Sequence, residues 1–117
     1  MNQIDIAVEC NRRELSVRDF IEPDGNRLST GMTNQISNDC EIEYKGTMMY
    51  KGVDTPEVLE FVLNVGSDVS KGILGAWLYD QLKGAENSRL YVDGELVSVQ
   101  KDRIQNRLDE LLEEENE

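Results

Sequence analysis

The first half of the chain alternates apolar and polar residues with the period of β-strands. Ile4, Ile6 and Val8 are separated by polar or small residues, which predicts a strand with one buried face. Residues 15–21 fit a second strand, and the polar stretch 29–38 predicts a flexible loop.

A further alternating stretch predicts a hairpin in the middle of the chain. Residues 40–44 and 47–50 both fit strands, and Lys45 and Gly46 between them supply a two-residue turn. We therefore expect the N-terminal half to form an antiparallel sheet.

The hydrophobic period changes at residues 54–57, where the sequence DTPE is typical of a helix start. A helical pattern then continues to Gly84, a residue type that often ends helices. Unbroken, this helix would span residues 56–83 and measure about 42 Å. Gly66 offers a break, so one long helix and two helices separated by a turn both stay open. Apolar residues cover nearly the whole circumference of the first half of this helix, so we expect that half to be the central and most buried element.

The last third of the chain predicts a short hairpin and an amphipathic helix. Asp93 and Gly94 suit a type I′ turn between two strands, and this turn would place Leu90 opposite Val97. After Asp102, apolar residues recur at helical spacing. These residues are Ile104, Leu108, Leu111 and Leu112.

Together these patterns predict an α+β fold in a single domain over residues 1–112. An antiparallel sheet would pack against the long central helix at residues 56–83, with the amphipathic C-terminal helix on its flank. Residues 113–117 are expected to form an acidic, frayed tail.

The charge of the chain narrows the function classes. It carries 24 acidic and 12 basic residues, a net charge of −12, and no histidine. Because nucleic-acid-binding proteins need cations that displace counterions from phosphates, direct nucleic-acid binding is not expected. Without histidine the chain lacks the commonest general base and metal ligand, and no phosphate-binding motif occurs. We therefore expect neither an enzyme nor a cofactor or metal site.

The two cysteines and the hydropathy pattern indicate a cellular compartment. Cys10 and Cys40 occur in a chain with no secretory signal and no apolar stretch long enough to cross a membrane. Reduced, partly buried thiols are therefore expected, and a disulfide stays open as the alternative. The same features predict a cytoplasmic protein that does not bind membranes.

The densest charge lies at the C-terminus, where six of the nine residues after Leu108 are acidic. On a helix this is one charge per about 2 Å, close to the about 1.7 Å of duplex DNA. Such a helix could enter the basic groove of a nucleic-acid-binding protein, whereas a solvated tail is the alternative. The partner-binding residues would be Asp109, Glu110, Glu113, Glu114 and Glu117.

A set of small residues in the predicted long helix is a second candidate site. Each glycine in a helix costs up to about 1 kcal/mol relative to alanine, so a packing reason is expected for these glycines. A flat seam of this kind would let a second copy or a protein partner approach closely. Alternatively, the C-terminal helix or the sheet of the same chain packs there. The seam residues are Gly72, Gly75, Ala76, Trp77 and Tyr79.

Residues 72–84 (GILGAWLYDQLKG) end a predicted helix with a Trp-Leu pair, and the hairpin around Asp93 and Gly94 follows. Over residues 56–99 this arrangement resembles the C-terminal half of effector-associated component domains, small α+β modules of bacterial and phage conflict systems. The N-terminal half departs from that pattern, because strands are predicted where the family carries an early helix. The resemblance implies a non-enzymatic adaptor that works by protein contact, and it carries over no catalytic residue.

These observations predict a small acidic protein-interaction module, an adaptor or an inhibitor, in a bacterial or phage setting. Its partner would be a protein with a basic surface, such as a nucleic-acid-binding enzyme, and a homodimer is a further expectation. Two alternatives stay open. One is an acidic nucleic-acid mimic that inhibits a DNA- or RNA-binding defence enzyme, and the other is a small enzyme that uses buried carboxylates.

Overall fold

The structure is a computed structural model, and it describes residues 2–11, 14–21, 29–37, 39–49, 57–66, 71–85 and 87–115. Within them, six strands form one antiparallel sheet in the order β2-β3-β4-β1-β5-β6. The strands are β1 (Asn2–Cys10), β2 (Thr33–Ser37), β3 (Cys40–Met49), β4 (Glu57–Val65), β5 (Arg89–Val92) and β6 (Glu95–Val97). The helices are α1 (Lys71–Leu82) and α2 (Lys101–Glu115). The predicted α+β class is confirmed.

The strand predicted from the first alternating pattern is β1. Ile4, Ile6, Val8 and Cys10 point to one face and are at most 2% exposed. This strand lies between β4 and β5 and pairs antiparallel with both, so it is an interior strand of the sheet.

The prediction of a long central helix over residues 56–83 is wrong. Its first half forms β4, which is bonded along its length to β1 and to β3, and α1 spans Lys71–Leu82. An apolar run without clear periodicity suits a fully buried strand as well as a buried helix, and valine favours the strand. The predicted burial of this stretch is nevertheless confirmed, because Leu59, Phe61 and Leu63 are at most 1% exposed. Residues 54–56, the predicted helix start, lie outside the described residues.

The predicted hairpin across Lys45 and Gly46 is also wrong, because β3 continues through these residues as one strand. The register against β4 shifts between Tyr44 and Gly46, which leaves Lys45 as the extra residue of a β-bulge. Gly46 has a φ of 140°, a conformation that side-chain-bearing residues rarely adopt. Gly46, which suggested a turn in the sequence, therefore allows the backbone conformation of the bulge.

Two further segments differ from the sequence-based expectations. Part of the predicted flexible loop forms β2, the edge strand that pairs with β3, so its structure depends on a tertiary neighbour. The strand predicted over residues 15–21 is instead a turn with a short 3-10 helix, Val17–Asp19. Its apolar residues Phe20 and Ile21 still reach the core, at most 1% exposed.

The β5–β6 hairpin follows the prediction in turn type and in register. Asp93 and Gly94 have φ values of 52° and 82°, as a type I′ turn requires at both central positions. Leu90 pairs with Val97 and Tyr91 with Leu96, so each side of the hairpin faces the predicted way.

Both helices cover the same face of the sheet and pack against each other. Leu74, Leu78 and Leu82 of α1 are fully buried at a spacing of about one helical turn. In α2 the predicted apolar stripe is confirmed, because Ile104 and Leu108 are fully buried. The helix includes residues 113–115, so the backbone is helical in the first part of the segment that was expected to fray.

An aromatic cluster connects the turn with the 3-10 helix, and helix α1, to the centre of the sheet. The ring of Phe20 lies 4.9 Å from that of Phe61 and 6.2 Å from that of Trp77. Tyr44 completes the cluster, with its ring 5.8 Å from that of Phe61. Such contacts contribute about 0.5–1.5 kcal/mol per pair beyond the buried area.

The two cysteines are free, and they are too far apart to form an intramolecular disulfide. Cys10 lies opposite Glu57 and Cys40 opposite Val65, at the two ends of β4. At a rise of about 3.3 Å per residue these ends are about 26 Å apart, whereas a disulfide needs Cα atoms within about 7 Å. Both thiols are buried, rather than partly buried as expected from the sequence.

Candidate functional site

The sheet has one face under the helices and a second face that carries no helix among the described residues. We call this second face the open face. Its members follow from the register of the strands, since alternate residues point to opposite sides. The open face consists of Gln3, Asp5, Ala7, Glu9, Glu41, Glu43, Lys45, Met48, Val58, Glu60, Val62, Asn64, Arg89, Tyr91 and Leu96, with Thr33 and Gln35 at its edge.

The open face is acidic. It carries five carboxylates against two cations, Lys45 and Arg89. The ammonium of Lys45 lies 2.7 Å from a carboxylate oxygen of Glu43, and Arg89 pairs in register with Glu9. A negative field therefore covers the middle of this face, where few cations oppose it. The five carboxylates are those of Asp5, Glu9, Glu41, Glu43 and Glu60.

Apolar side chains lie between these charges. Leu96 on β6 is 58% exposed and Met48 on β3 is 48% exposed, at opposite sides of the open face. Tyr91, Ala7 and Glu60 connect the two sides, because they form a row across three neighbouring strands. Apolar and aromatic side chains are thus interspersed with carboxylates across this face rather than gathered at its centre.

A cup lies at the middle of this row. Ala7 and Val62 form part of its lining, together with Tyr91 and the bulged Lys45, and it has a volume of about 460 Å³. Ala7 creates the depression, since its methyl group is much shorter than its neighbours in the row. The carboxylates of Asp5 and Glu60 also line the cup.

The carboxylates of Asp5 and Glu60 have no hydrogen-bond or ion-pair partner among the described residues. They occupy diagonal positions on β1 and β4, since Asp5 lies opposite Val62 and Glu60 opposite Ala7. Diagonal neighbours of this kind are about 7–8 Å apart, so one cation between them could contact both. Asp5 is exposed and Glu60 half-buried, which leaves both accessible from the cup.

A chain of polar side chains spans the open face next to the cup. Gln3 Nε2 donates to Asn64 Oδ1 at 3.1 Å, and Asn64 Nδ2 donates to Glu41 Oε1 at 3.4 Å. Asn64 is 5% exposed, and these bonds offset the cost of burying its amide. Glu41 is thus partnered, in contrast to Asp5 and Glu60.

The predicted acidic site lies on α2, on the side of the sheet opposite to the open face. Asp109 is half-buried and accepts a hydrogen bond from Gln105 Nε2 at 2.8 Å, while Glu110 is exposed and lies 3.4 Å from Arg107. Glu113 and Glu114 belong to the helical backbone, but their side chains and the whole of Glu117 lie outside the described part. The predicted acidic site and the open face therefore lie on opposite sides of the sheet.

The predicted small-residue seam is occupied at Gly75 by α2. The backbone N–H of Gly75 donates to Gln105 Oε1 at 3.2 Å, and a methyl group there would lie 3.0 Å from Gln105 Cβ and 3.1 Å from its Cα. This contact corresponds to the intramolecular alternative for the seam. Ala76, Trp77 and Tyr79 are half-buried, and the two aromatic residues pack against the core. Gly72 lies in the first turn of α1, and its surroundings are not described.

Sequence reasoning missed the open face as a site. The alternation in β1 indicates part of this face, because Asp5, Ala7 and Glu9 are the residues of the predicted strand that point away from its buried side. Glu60 and Val62 were assigned to a helix, so their place beside β1 could not be predicted. The cup exists only in the register that pairs Ala7 with Glu60 and Tyr91.

The described residues offer little for metal or thiol chemistry. No group of three or more metal-ligating side chains occurs among them. Burial raises the pKa of Cys10 to about 11, with smaller contributions from Glu57, Asp19 and Glu14. Burial likewise raises the pKa of Cys40 to about 11, with Glu41 adding to the effect. Because the thiolate is the reactive form of cysteine, these raised pKa values keep both side chains in the thiol form at neutral pH.

Comparison with known proteins provides no family for this chain: no protein-family model matches it, and no significant match is found among curated proteins or solved structures. The resemblance of residues 56–99 to effector-associated component domains therefore stays a prediction. Within the part of the chain that the structure describes, neither helix has the length and apolar character needed to cross a membrane.

Proposed function

We propose that this protein is a small acidic interaction module that binds a basic protein partner through the open face of its sheet. The observation that carries the proposal is a pair of carboxylates, Asp5 and Glu60, that have no partner among the described residues and lie beside exposed apolar residues on the open face. Exposed Leu96 and Met48 supply apolar area, and the surrounding acids select a partner of opposite charge. The bacterial or phage setting, the cytoplasmic location and the non-enzymatic role remain parts of this proposal.

Self-association through the open face is disfavoured by its charge. Two copies joined face to face would bring five carboxylates of each protomer together, and like charges across an interface cost several kcal/mol. A different protein with clustered lysine and arginine side chains is therefore the better occupant of this face.

The experiment compares two variants with the same change in charge on the two acidic surfaces. One carries Asp5→Lys and Glu60→Lys on the open face, and the other carries Glu110→Lys and Glu114→Lys on α2. Each protein is immobilised and exposed to a nuclease-treated bacterial lysate, and captured proteins are identified, purified and tested again with the pure components. Circular dichroism checks that both variants fold.

The proposal predicts that a basic protein binds the wild-type chain and the α2 variant but binds the open-face variant at least tenfold more weakly. Since the two variants have the same net charge, overall charge cannot produce this difference. Equal binding by all three proteins, or capture of no basic protein, would overturn the proposal.

The second candidate function is nucleic-acid mimicry by α2. One observation favours it: the helix continues through Glu115, so the acidic residues near its end stand on a regular helical backbone. In the same experiment, mimicry predicts that the α2 variant loses the partner while the open-face variant keeps it. The lost partner would be a nucleic-acid-binding protein, and its binding would weaken steeply with salt.

A further inference from the structure

We infer that the cup around Ala7 receives a single arginine side chain of the basic partner. This inference rests on the proposed function and names the group that the open face recognises. The cup is lined by a methyl group, an aromatic ring and two carboxylates, which together match the parts of an arginine side chain.

The apolar part of the cup fits the stem of the side chain. The methyl group of Ala7 and the side chain of Val62 occupy diagonal positions on β1 and β4, and neither carries a polar atom. An arginine stem of three methylene groups can lie along such a surface while its charged end reaches further. Val62 is only 8% exposed, so most of the apolar area that an arginine stem could cover belongs to Ala7 and the ring of Tyr91.

The polar part of the cup fits the guanidinium group. Asp5 and Glu60 approach from adjacent strands and have no partner among the described residues, so both carboxylates can accept hydrogen bonds from a ligand. A guanidinium group has five donors in a planar fork and can bond two carboxylates at once. An ammonium group is a point charge and is more strongly hydrated, which makes lysine the poorer occupant.

The ring of Tyr91 favours arginine for a second reason. Its hydroxyl lies 3.5 Å from Glu9 Oε2, and this contact helps to hold the ring at one side of the cup. A planar guanidinium group stacks on an aromatic ring and is attracted by the ring quadrupole. Opposite Tyr91, the ammonium of Lys45 is neutralised by Glu43 at 2.7 Å, which reduces its repulsion of an entering cation.

The test uses small probes, so it does not require that the partner be known. The full chain, labelled with ¹⁵N, is titrated with N-acetyl-arginine amide, N-acetyl-lysine amide and N-acetyl-citrulline amide at millimolar concentrations. Citrulline has the shape of arginine without its charge. We expect arginine amide to produce saturable shifts of the backbone signals of Ala7, Glu60 and Tyr91. Lysine amide should bind several-fold more weakly, and citrulline amide should produce no saturable shift.

Two cup variants and one control complete the experiment. Ala7→Leu fills the cup without changing its charge, and Glu60→Gln removes one carboxylate at constant shape. Each of these two variants is expected to bind N-acetyl-arginine amide at least fivefold more weakly than the wild-type chain. Glu110→Gln makes the same change of charge on α2 and should bind like the wild-type chain. The amide spectrum of each variant shows directly whether it is folded.

Equal shifts with arginine and citrulline, equal affinity for arginine and lysine, shifts centred on α2, or unchanged binding by Ala7→Leu would each overturn the inference. The proposed function fails separately, through the capture experiment with the charge-reversed variants. If that experiment supports the open face while arginine amide does not bind the cup, only the arginine assignment is wrong.

Discussion

The two faces of the sheet belong to the same strands but have opposite characters. In β1, Ile6 and Val8 are buried under the helices, while Asp5, Ala7 and Glu9 between them lie on the open face. One face is a continuous apolar core, and the other combines acids, a shallow cup and exposed apolar residues. The apolar core is therefore concentrated on one side of the strands.

This division explains how a chain with a net charge of −12 can fold at all. Mutual repulsion among carboxylates destabilises a compact state, and their placement on the open face and along α2 keeps them in contact with solvent. The covered face contains no carboxylate among its fully buried side chains. The four predictions below test this division, beginning with the largest expected effect.

Phe61→Ala should cause the largest loss of stability, about 3–5 kcal/mol. The ring is 1% exposed and contacts Phe20 and Tyr44 on the covered face, so its removal leaves a cavity at the centre of the core. Urea denaturation measures the change in the free energy of unfolding. The control is Val58→Ala on the same strand, which points to the open face and is only half-buried. Similar losses for both variants would contradict the division between the faces.

Gly75→Leu should cost about 1–3 kcal/mol, because the new side chain would enter the contact between α1 and α2. The backbone of Gln105 is too close to a side chain at this position to move aside without shifting α2. Urea denaturation again gives the change, and Gly84→Ala is the matched control. A Cβ atom at Gly84 meets nothing within 4 Å, so this variant should stay within about 1 kcal/mol of the wild-type stability. A Gly75→Leu protein of unchanged stability would show that this contact does not hold the helices together.

The elements that could be predicted from the sequence have local causes. The β5–β6 turn needs positive φ at two adjacent residues, and Asp93-Gly94 supplies it wherever the rest of the chain lies. The apolar spacing in α2 and the alternation in β1 likewise show a helical period and a strand period within a few residues. For these elements both the type of structure and the buried side could be predicted.

The elements that could not be predicted depend on their neighbours. Residues 57–65 show no clear alternation because Val58 and Val62 lie on the open face of β4 beside Glu60 and Asn64, and a buried helix can show the same composition. The polar β2 is a strand because β3 offers it an edge to pair with. The cup combines residues of β1, β3, β4 and β5, so no local pattern could reveal it.

The third prediction concerns the pH dependence of stability. The two buried thiols should change the free energy of unfolding by less than the two core substitutions above. In the folded protein burial raises the pKa of Cys10 and Cys40 from 9.0 to about 11. The unfolded chain therefore loses these protons first, so the stability that is present below pH 9 is lost as the pH rises towards 11. The slope stays below about 1.4 kcal/mol per pH unit for each thiol.

Urea denaturation at pH 8, 9 and 10 measures this loss, and the variant with Cys10→Ala and Cys40→Ala separates it from the titration of tyrosine and lysine. The double variant should lose less stability between pH 8 and 10 than the wild-type chain. An identical pH dependence in the two proteins would show that the thiols are exposed to solvent in the folded state.

Glu60→Gln should have the smallest effect on stability, within about 0.5 kcal/mol, and its sign should be stabilising. Glu60 has no partner among the described residues and shares the open face with four other carboxylates, so removing its charge relieves repulsion without breaking a bond. Urea denaturation in low and high salt measures the change, which should shrink as salt screens the charges. Glu43→Gln is the matched control, because it makes the same change of charge but removes the ion pair with Lys45. A loss above about 1 kcal/mol for Glu60→Gln would mean that this carboxylate supports the fold. The open face would then serve stability as the covered face does, and its acids would no longer indicate a site kept for a partner.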